Sequence, residues 1–171
     1  ERGLFTMFQI MVVEDDTNTR RLMETVLKQH GYQPILACDG MEALEKMESR
    51  HVDLIVLDLM MPRMDGYEFT RTLRDSGSDI PILMVTAKET PQDKKKGFII
   101  GTDDYMVKPV DEEEMLLRIA ALLRRSRIVA DRRLNIGGTE LNFNSMSVTV
   151  AGKTESLPKK ELLLLFKLLS Y

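Results

Sequence analysis

Val52-Asp53-Leu54-Ile55-Val56-Leu57-Asp58 is a short, almost wholly apolar run that stops on a carboxylate. A strand covered on both faces reads this way, because neither face needs polar residues. Working outward, similar runs occupy residues 8–13, 34–37, 80–85 and 104–107. Pro81 stands near the start of its run, where a missing N–H is tolerated. Helical stretches lie between and after them, at 41–47, 67–74, 91–100 and 111–125. The first helix has Asp16, Thr17 or Asn18 as candidate cap, carries the apolar residues Leu22, Met23, Val26 and Leu27, and ends at His30-Gly31. Five strand–helix alternations predict an α/β fold: a five-stranded, doubly wound parallel sheet.

Beyond residue 125 the pattern changes. Residues 126–133 are polar and read as a linker. Short runs at 134–136, 140–143, 147–150 and 154–157 are separated by Gly137-Gly138, Asn144-Ser145 and Ala151-Gly152-Lys153. That is a small antiparallel β-meander. Residues 158–171 are helical and apolar, and one face is expected to be buried.

Composition narrows the class. Of 171 residues, 43% are hydrophobic and 30% charged, a globular balance. No apolar run approaches the roughly 20 residues that cross a bilayer. Cys38 is the single cysteine, which excludes an intrachain disulfide and suits a reducing cytoplasm. With His30 and His51 it cannot build a zinc site. Residues 126–171 hold seven Lys and Arg against four Asp and Glu, whereas residues 1–125 hold 17 against 23. An acidic front and a basic back predict two units with different partners.

Residues 1–6 precede Met7 and read as a remnant ahead of a natural start. The other end, Leu168-Leu169-Ser170-Tyr171, stops inside a helix without a cap and reads as truncated.

In a doubly wound sheet, ligands bind beyond the carboxyl ends of the strands. Those ends carry Glu14-Asp15-Asp16, Asp58, Thr86-Ala87 and Lys108-Pro109. Taken singly, each has a plain reading: helix cap, turn residue or loop. Taken together, at successive strand ends, they form a chemical set. Clustered carboxylates repel unless a cation joins them, and Mg²⁺ suits oxygen ligands. Asp58, already ionised at pH 7, can act as nucleophile and form an acyl phosphate. Mg²⁺ and Lys108 would offset charge on the phosphoryl oxygens, and Thr86 would donate a hydrogen bond to one.

Val12-Val13-Glu14-Asp15-Asp16, Asp58 to Pro62 with Asp65-Gly66, Val85-Thr86-Ala87, and Gly101 to Pro109 together resemble the receiver domain of bacterial two-component response regulators. The likeness covers residues 8–125, and residues 7–125 are taken as the domain. It implies a flavodoxin-like sheet and a sensor histidine kinase that phosphorylates Asp58. It implies Mg²⁺ held by Asp15, Asp58 and the Met60 carbonyl, with Glu14 acting through water. Thr86 and Tyr105 would be a switch pair, and Lys108–Pro109 would be cis.

Residues 134–171, through Leu157-Pro158-Lys159-Lys160-Glu161-Leu162, are similar to the start of the winged-helix effector domain of OmpR/PhoB-type transcription regulators. This implies DNA binding by the full-length protein, while no DNA-binding residue is assigned within these 171. By the same likeness, a homodimer would form on phosphorylation. Its face would hold Lys94, Phe98, Asp104, Glu114, Leu116 and Arg118, with Ile99, Ala120 and Lys95 departing from the family pattern.

The chain is thus expected to be a cytoplasmic, phosphorylation-dependent transcriptional regulator. It would not be an enzyme beyond its own phosphorylation and dephosphorylation. Two alternatives are a degenerate receiver serving only dimerisation, and a phosphohydrolase of the aspartyl-phosphate type. The latter needs an acid two residues after the nucleophile, where Met60 stands.

Overall fold

The computed structural model describes residues 8–87, 91–131, 133–142 and 145–169. Two compact units divide it, residues 1–122 and 123–171.

The first unit alternates strand and helix. β1 (Gln9–Val13), β2 (Gln33–Ala37), β3 (Leu54–Asp58), β4 (Ile82–Thr86) and β5 (Asp104–Val107) alternate with α1 (Thr17–Gln29), α2 (Gly40–Met47), α3 (Gly66–Asp75), α4 (Pro91–Ile100) and α5 (Glu112–Asp131). All strands run parallel in the order β2-β1-β3-β4-β5. This is the expected doubly wound sheet. Every residue of β3 and β4 is buried, which accounts for their unbroken apolar reading. β2 is an edge strand and carries Pro34 and the exposed Gln33, as an edge permits.

The chain reverses its direction of winding between β1 and β3, and there the carboxyl ends open a crevice. Its helices start on aspartates. Asp16 accepts from the Thr19 N–H at 2.7 Å, Asp39 from Glu42 at 2.9 Å, and Asp65 from Glu68 at 2.8 Å. Of the three candidate caps, Asp16 is therefore the one that caps α1. The α1 core face is Met23, Val26 and Leu27, whereas Leu22, the fourth apolar position of the helix, is half exposed. The helix rotates a strip of three residues onto the sheet, and Leu22 falls just off it.

α5 continues to Asp131, past the end expected at Arg125. Residues 126–131, read as linker, are therefore helical; strong helix formers such as Arg and Ala outweigh the polarity of the stretch.

In the second unit, β6 (Arg133–Ile136), β7 (Thr139–Asn142), β8 (Ser147–Val150) and β9 (Lys153–Ser156) form an antiparallel meander, followed by α6 (Lys159–Leu169). Gly137-Gly138 and Ala151-Gly152 take positive φ at both positions of two-residue turns, the twist that suits a tight hairpin. Leu141 and Leu162 are fully buried, with Met146, Val148, Leu157 and Leu165 packed around them. Leu164 and Leu168 are exposed.

Among the described residues, no helix is long and apolar enough to cross a membrane.

Candidate functional site

Glu14 follows β1, Asp58 ends β3, Thr86 ends β4 and Lys108 follows β5. The parallel register sets Asp58 beside Val85 and Thr86 beside Val107. The strand ends therefore converge at one edge.

The carboxylates of Glu14, Asp15 and Asp58 each offer an oxygen within 4.8 Å of the others. Glu14 and Asp58 are buried, and Asp15 is exposed. Lys108 Nζ lies 2.9 Å from Glu14 Oε2 and 3.4 Å from Asp58 Oδ2. One ammonium thus faces the two buried acids of the three. The Met60 N–H donates to Asp58 Oδ1 at 3.3 Å, while the Met60 side chain points outward and is exposed. Arg20 Nη1 donates to the carbonyls of Glu14 at 2.6 Å and Asp15 at 3.2 Å, fixing the backbone that presents both acids.

The charges are uneasy. Burial, and then the neighbouring Glu14 charge, push Asp58 up to about 6, against the pull of Lys108 and the Met60 N–H. Asp58 is still mostly ionised at pH 7 and remains available as a nucleophile. Burial pulls the Lys108 ammonium down. Its bond to Glu14 and the charges of Asp58 and Glu14 outweigh that and hold it above the ordinary lysine value. Hard oxygen donors crowded this way suit a small divalent cation, which relieves their repulsion. Glu14, Asp15 and Asp58 could hold one.

Thr86 is fully buried, and its carbonyl accepts from the Lys108 N–H at 2.8 Å. The Lys108–Pro109 bond is cis. Tyr105 is buried, and burial, followed by the charges of Tyr67 and Asp93, pushes its phenol up to about 12. Gly66 begins α3 directly beneath the site, its N–H donating to the Leu59 carbonyl at 2.9 Å.

The residues expected at a dimer face behave differently. Arg118 grips Asp104 Oδ1 and Oδ2, both at 2.9 Å, and Glu114 Oε1 at 2.8 Å, all within one chain. Leu116 is half-buried. The side chains of Lys94 and Phe98 lie outside the described residues.

Three groupings escaped the sequence reading. Arg63 pairs with buried Asp39. Arg74 donates to the carbonyls of Gly101, Ser78 and Ile80 at 2.9–3.1 Å and to Asp103 Oδ2 at 2.9 Å, tying α3 to the starts of β4 and β5. Tyr67 donates to the Asp93 carbonyl at 3.1 Å, and Lys96 Nζ sits 4.4 Å above its ring, joining α3 to α4. Only the first had a signal: Asp39 and Glu42 are spaced as a helix-capping pair.

Residues 10–120 match the family model described as the response regulator receiver domain. The heme response regulator HssR of Staphylococcus epidermidis is 40% identical over 164 residues, which span 96% of this chain and 73% of that protein. HssR of Staphylococcus aureus is 38% identical over 162 residues, or 95% and 72%. Among solved structures, the Francisella response regulator 1452 receiver domain superposes with TM-score 0.67 at 30% identity, covering 69% of this chain and 98% of that one. Vibrio cholerae chemotaxis response regulator CheY4 superposes with TM-score 0.65 at 33% identity, covering 68% and 99%.

Proposed function

Since the chain belongs to the response regulator receiver family and is homologous to the HssR regulators, we propose that it is a phosphorylation-switched transcription regulator of the OmpR/PhoB type. A sensor histidine kinase is the donor and Asp58 the acceptor. The observation that carries this reading is the pocket: three acid oxygens within 4.8 Å, with Lys108 Nζ 3.4 Å from Asp58.

Asp58 attacks the phosphorus of a phosphohistidine. A new O–P bond forms, the P–N bond breaks, and the imidazole leaves with the electron pair and takes up a proton. Asp15, Asp58 and the Met60 carbonyl, with Glu14 through water, would hold Mg²⁺, which would supply charge neutralisation for the phosphoryl oxygens. Lys108 keeps its proton throughout and shifts from its acids to a phosphoryl oxygen. Thr86 turns its hydroxyl toward another, and Tyr105 packs into the space behind it. The added charge shifts a two-state equilibrium toward the dimer.

Residues 7–125 form the receiver and 134–171 the beginning of a winged-helix unit, whose whole form binds DNA. The protein works in the cytoplasm. It is a stoichiometric acceptor, not a turnover enzyme. Met60 has no proton to give where a phosphohydrolase of this type needs an acid.

Incubation with Mg²⁺ and a small acyl-phosphate donor should add one phosphoryl group, read by intact mass, and Asp58→Asn should add none. Labelling that survives Asp58→Asn rejects the assignment. Failure of the wild type to take Mg²⁺ or a beryllofluoride mimic favours a receiver that serves only dimerisation.

A further inference from the structure

The loop from Asp58 to Gly66 contains a strained turn. The Met64 N–H donates to the Pro62 carbonyl at 2.8 Å, across Arg63, whose φ is +67°. A three-residue turn with positive φ at its centre is the rare form, and a side chain there crowds the backbone. Glycine would relax it. Arginine persists there, and its side chain has a specific engagement.

Arg63 Nη2 donates to Asp39 Oδ2. Asp39 is 1% exposed and belongs to the neighbouring loop, between β2 and α2. Its other oxygen caps α2 through the Glu42 N–H. A buried aspartate already fixed to a helix is a rigid anchor. Next to it, Met64 packs over Gly40: a Cβ on Gly40 would lie 2.9 Å from the Met64 sulfur. An ion pair and an apolar contact therefore tie the two loops together. The tied loop also carries Met60, whose N–H reaches Asp58.

We propose that the Arg63–Asp39 pair is a positioning clamp: by holding the strained 62–64 turn against the β2–α2 loop, it presets the Met60 backbone for the cation at Asp58. Neither residue touches the metal or the phosphoryl group. The inference rests on the phosphoryl-acceptor reading above. It adds the supporting residues that determine how tightly the cation is held.

Arg63→Gly removes the clamp and the strain together. Asp39→Asn keeps a capping oxygen and removes the charge. Mg²⁺ affinity is measured by calorimetry on the full chain, with unfolding in chelator and amide exchange at 60–64 alongside. Each single variant should bind Mg²⁺ roughly tenfold more weakly, and the double variant no more weakly than either single one. Exchange at 60–64 should quicken. Arg63→Gly should unfold in chelator no more easily than wild type, because glycine accepts φ +67° freely. Mg²⁺ affinities within about twofold of wild type in both variants, or losses that simply add, overturn the clamp. A wild type that takes no Mg²⁺ instead overturns the phosphoryl-acceptor reading on which the clamp depends.

Discussion

Gly66 lies directly against the backbone of Asp58. A Cβ built on it would stand 2.7 Å from the Asp58 carbonyl oxygen and 2.9 Å from the Leu59 Cα. Backbone cannot move aside as a flexible side chain can. The chain returning from the loop into α3 passes so close that only hydrogen fits, and the Asp58 peptide forms the wall.

Gly66→Ala is therefore expected to shift the Asp58 peptide. The cost should be about 1–3 kcal/mol, the usual range for overpacking. Urea unfolding measures that loss, and phosphorylation by a small acyl phosphate should slow alongside it. Unchanged stability together with unchanged labelling would show that the contact yields without consequence.

Asp58→Asn should stabilise the chain in chelator, and by an amount that depends on pH. A buried acid whose folded value is raised, here to about 6 from 3.8, costs nothing below the unfolded value, where both states are protonated. The penalty grows as pH rises through that window and is complete above it. The difference between variant and wild type should widen from near zero at about pH 4 to on the order of 2–3 kcal/mol at pH 7. Mg²⁺ should close the gap. A difference that stays flat across this range contradicts the pocket electrostatics.

Arg74→Met keeps the aliphatic stem and removes the fork that serves three carbonyls and Asp103. A loss of about 2 kcal/mol follows from the unmade bonds. Arg74→Lys should recover less than half, because an ammonium cannot span the same fan of acceptors. Full recovery by lysine would reduce the role to simple charge.

Arg118→Ala addresses the dimer face. Arg118 already holds Asp104 and Glu114 within one chain, so in the proposed dimer it would have to exchange these partners, which limits its net contribution. A loss of about 1 kcal/mol, or roughly fivefold in dimer Kd, is expected from a half-exposed ion pair. Analytical ultracentrifugation of the phosphorylated chain reads it. A dimer of unaltered affinity removes Arg118 from the face.

The parallel sheet was legible because β3 and β4, buried on both faces, leave no polar break in their sequence. Glu14, Asp15, Asp58 and Lys108 were legible for a related reason: a charged group at the end of an apolar strand has no packing role to explain it. Arg63, Arg74 and Tyr67 were hidden because their partners are distant in sequence or are backbone carbonyls, which every residue possesses. The α5 end was misplaced because polarity alone does not distinguish a solvated helix from a linker.

Lys108 and Glu14 meet across a separation of 94 residues. Until the fifth strand has docked, Asp58 is an ordinary carboxylate with no cationic escort. A nascent chain that has not yet delivered Lys108 would carry the proposed acceptor without its ammonium partner. On the proposed reading, competence to receive a phosphoryl group would require that the ends of β1, β3 and β5 have come together.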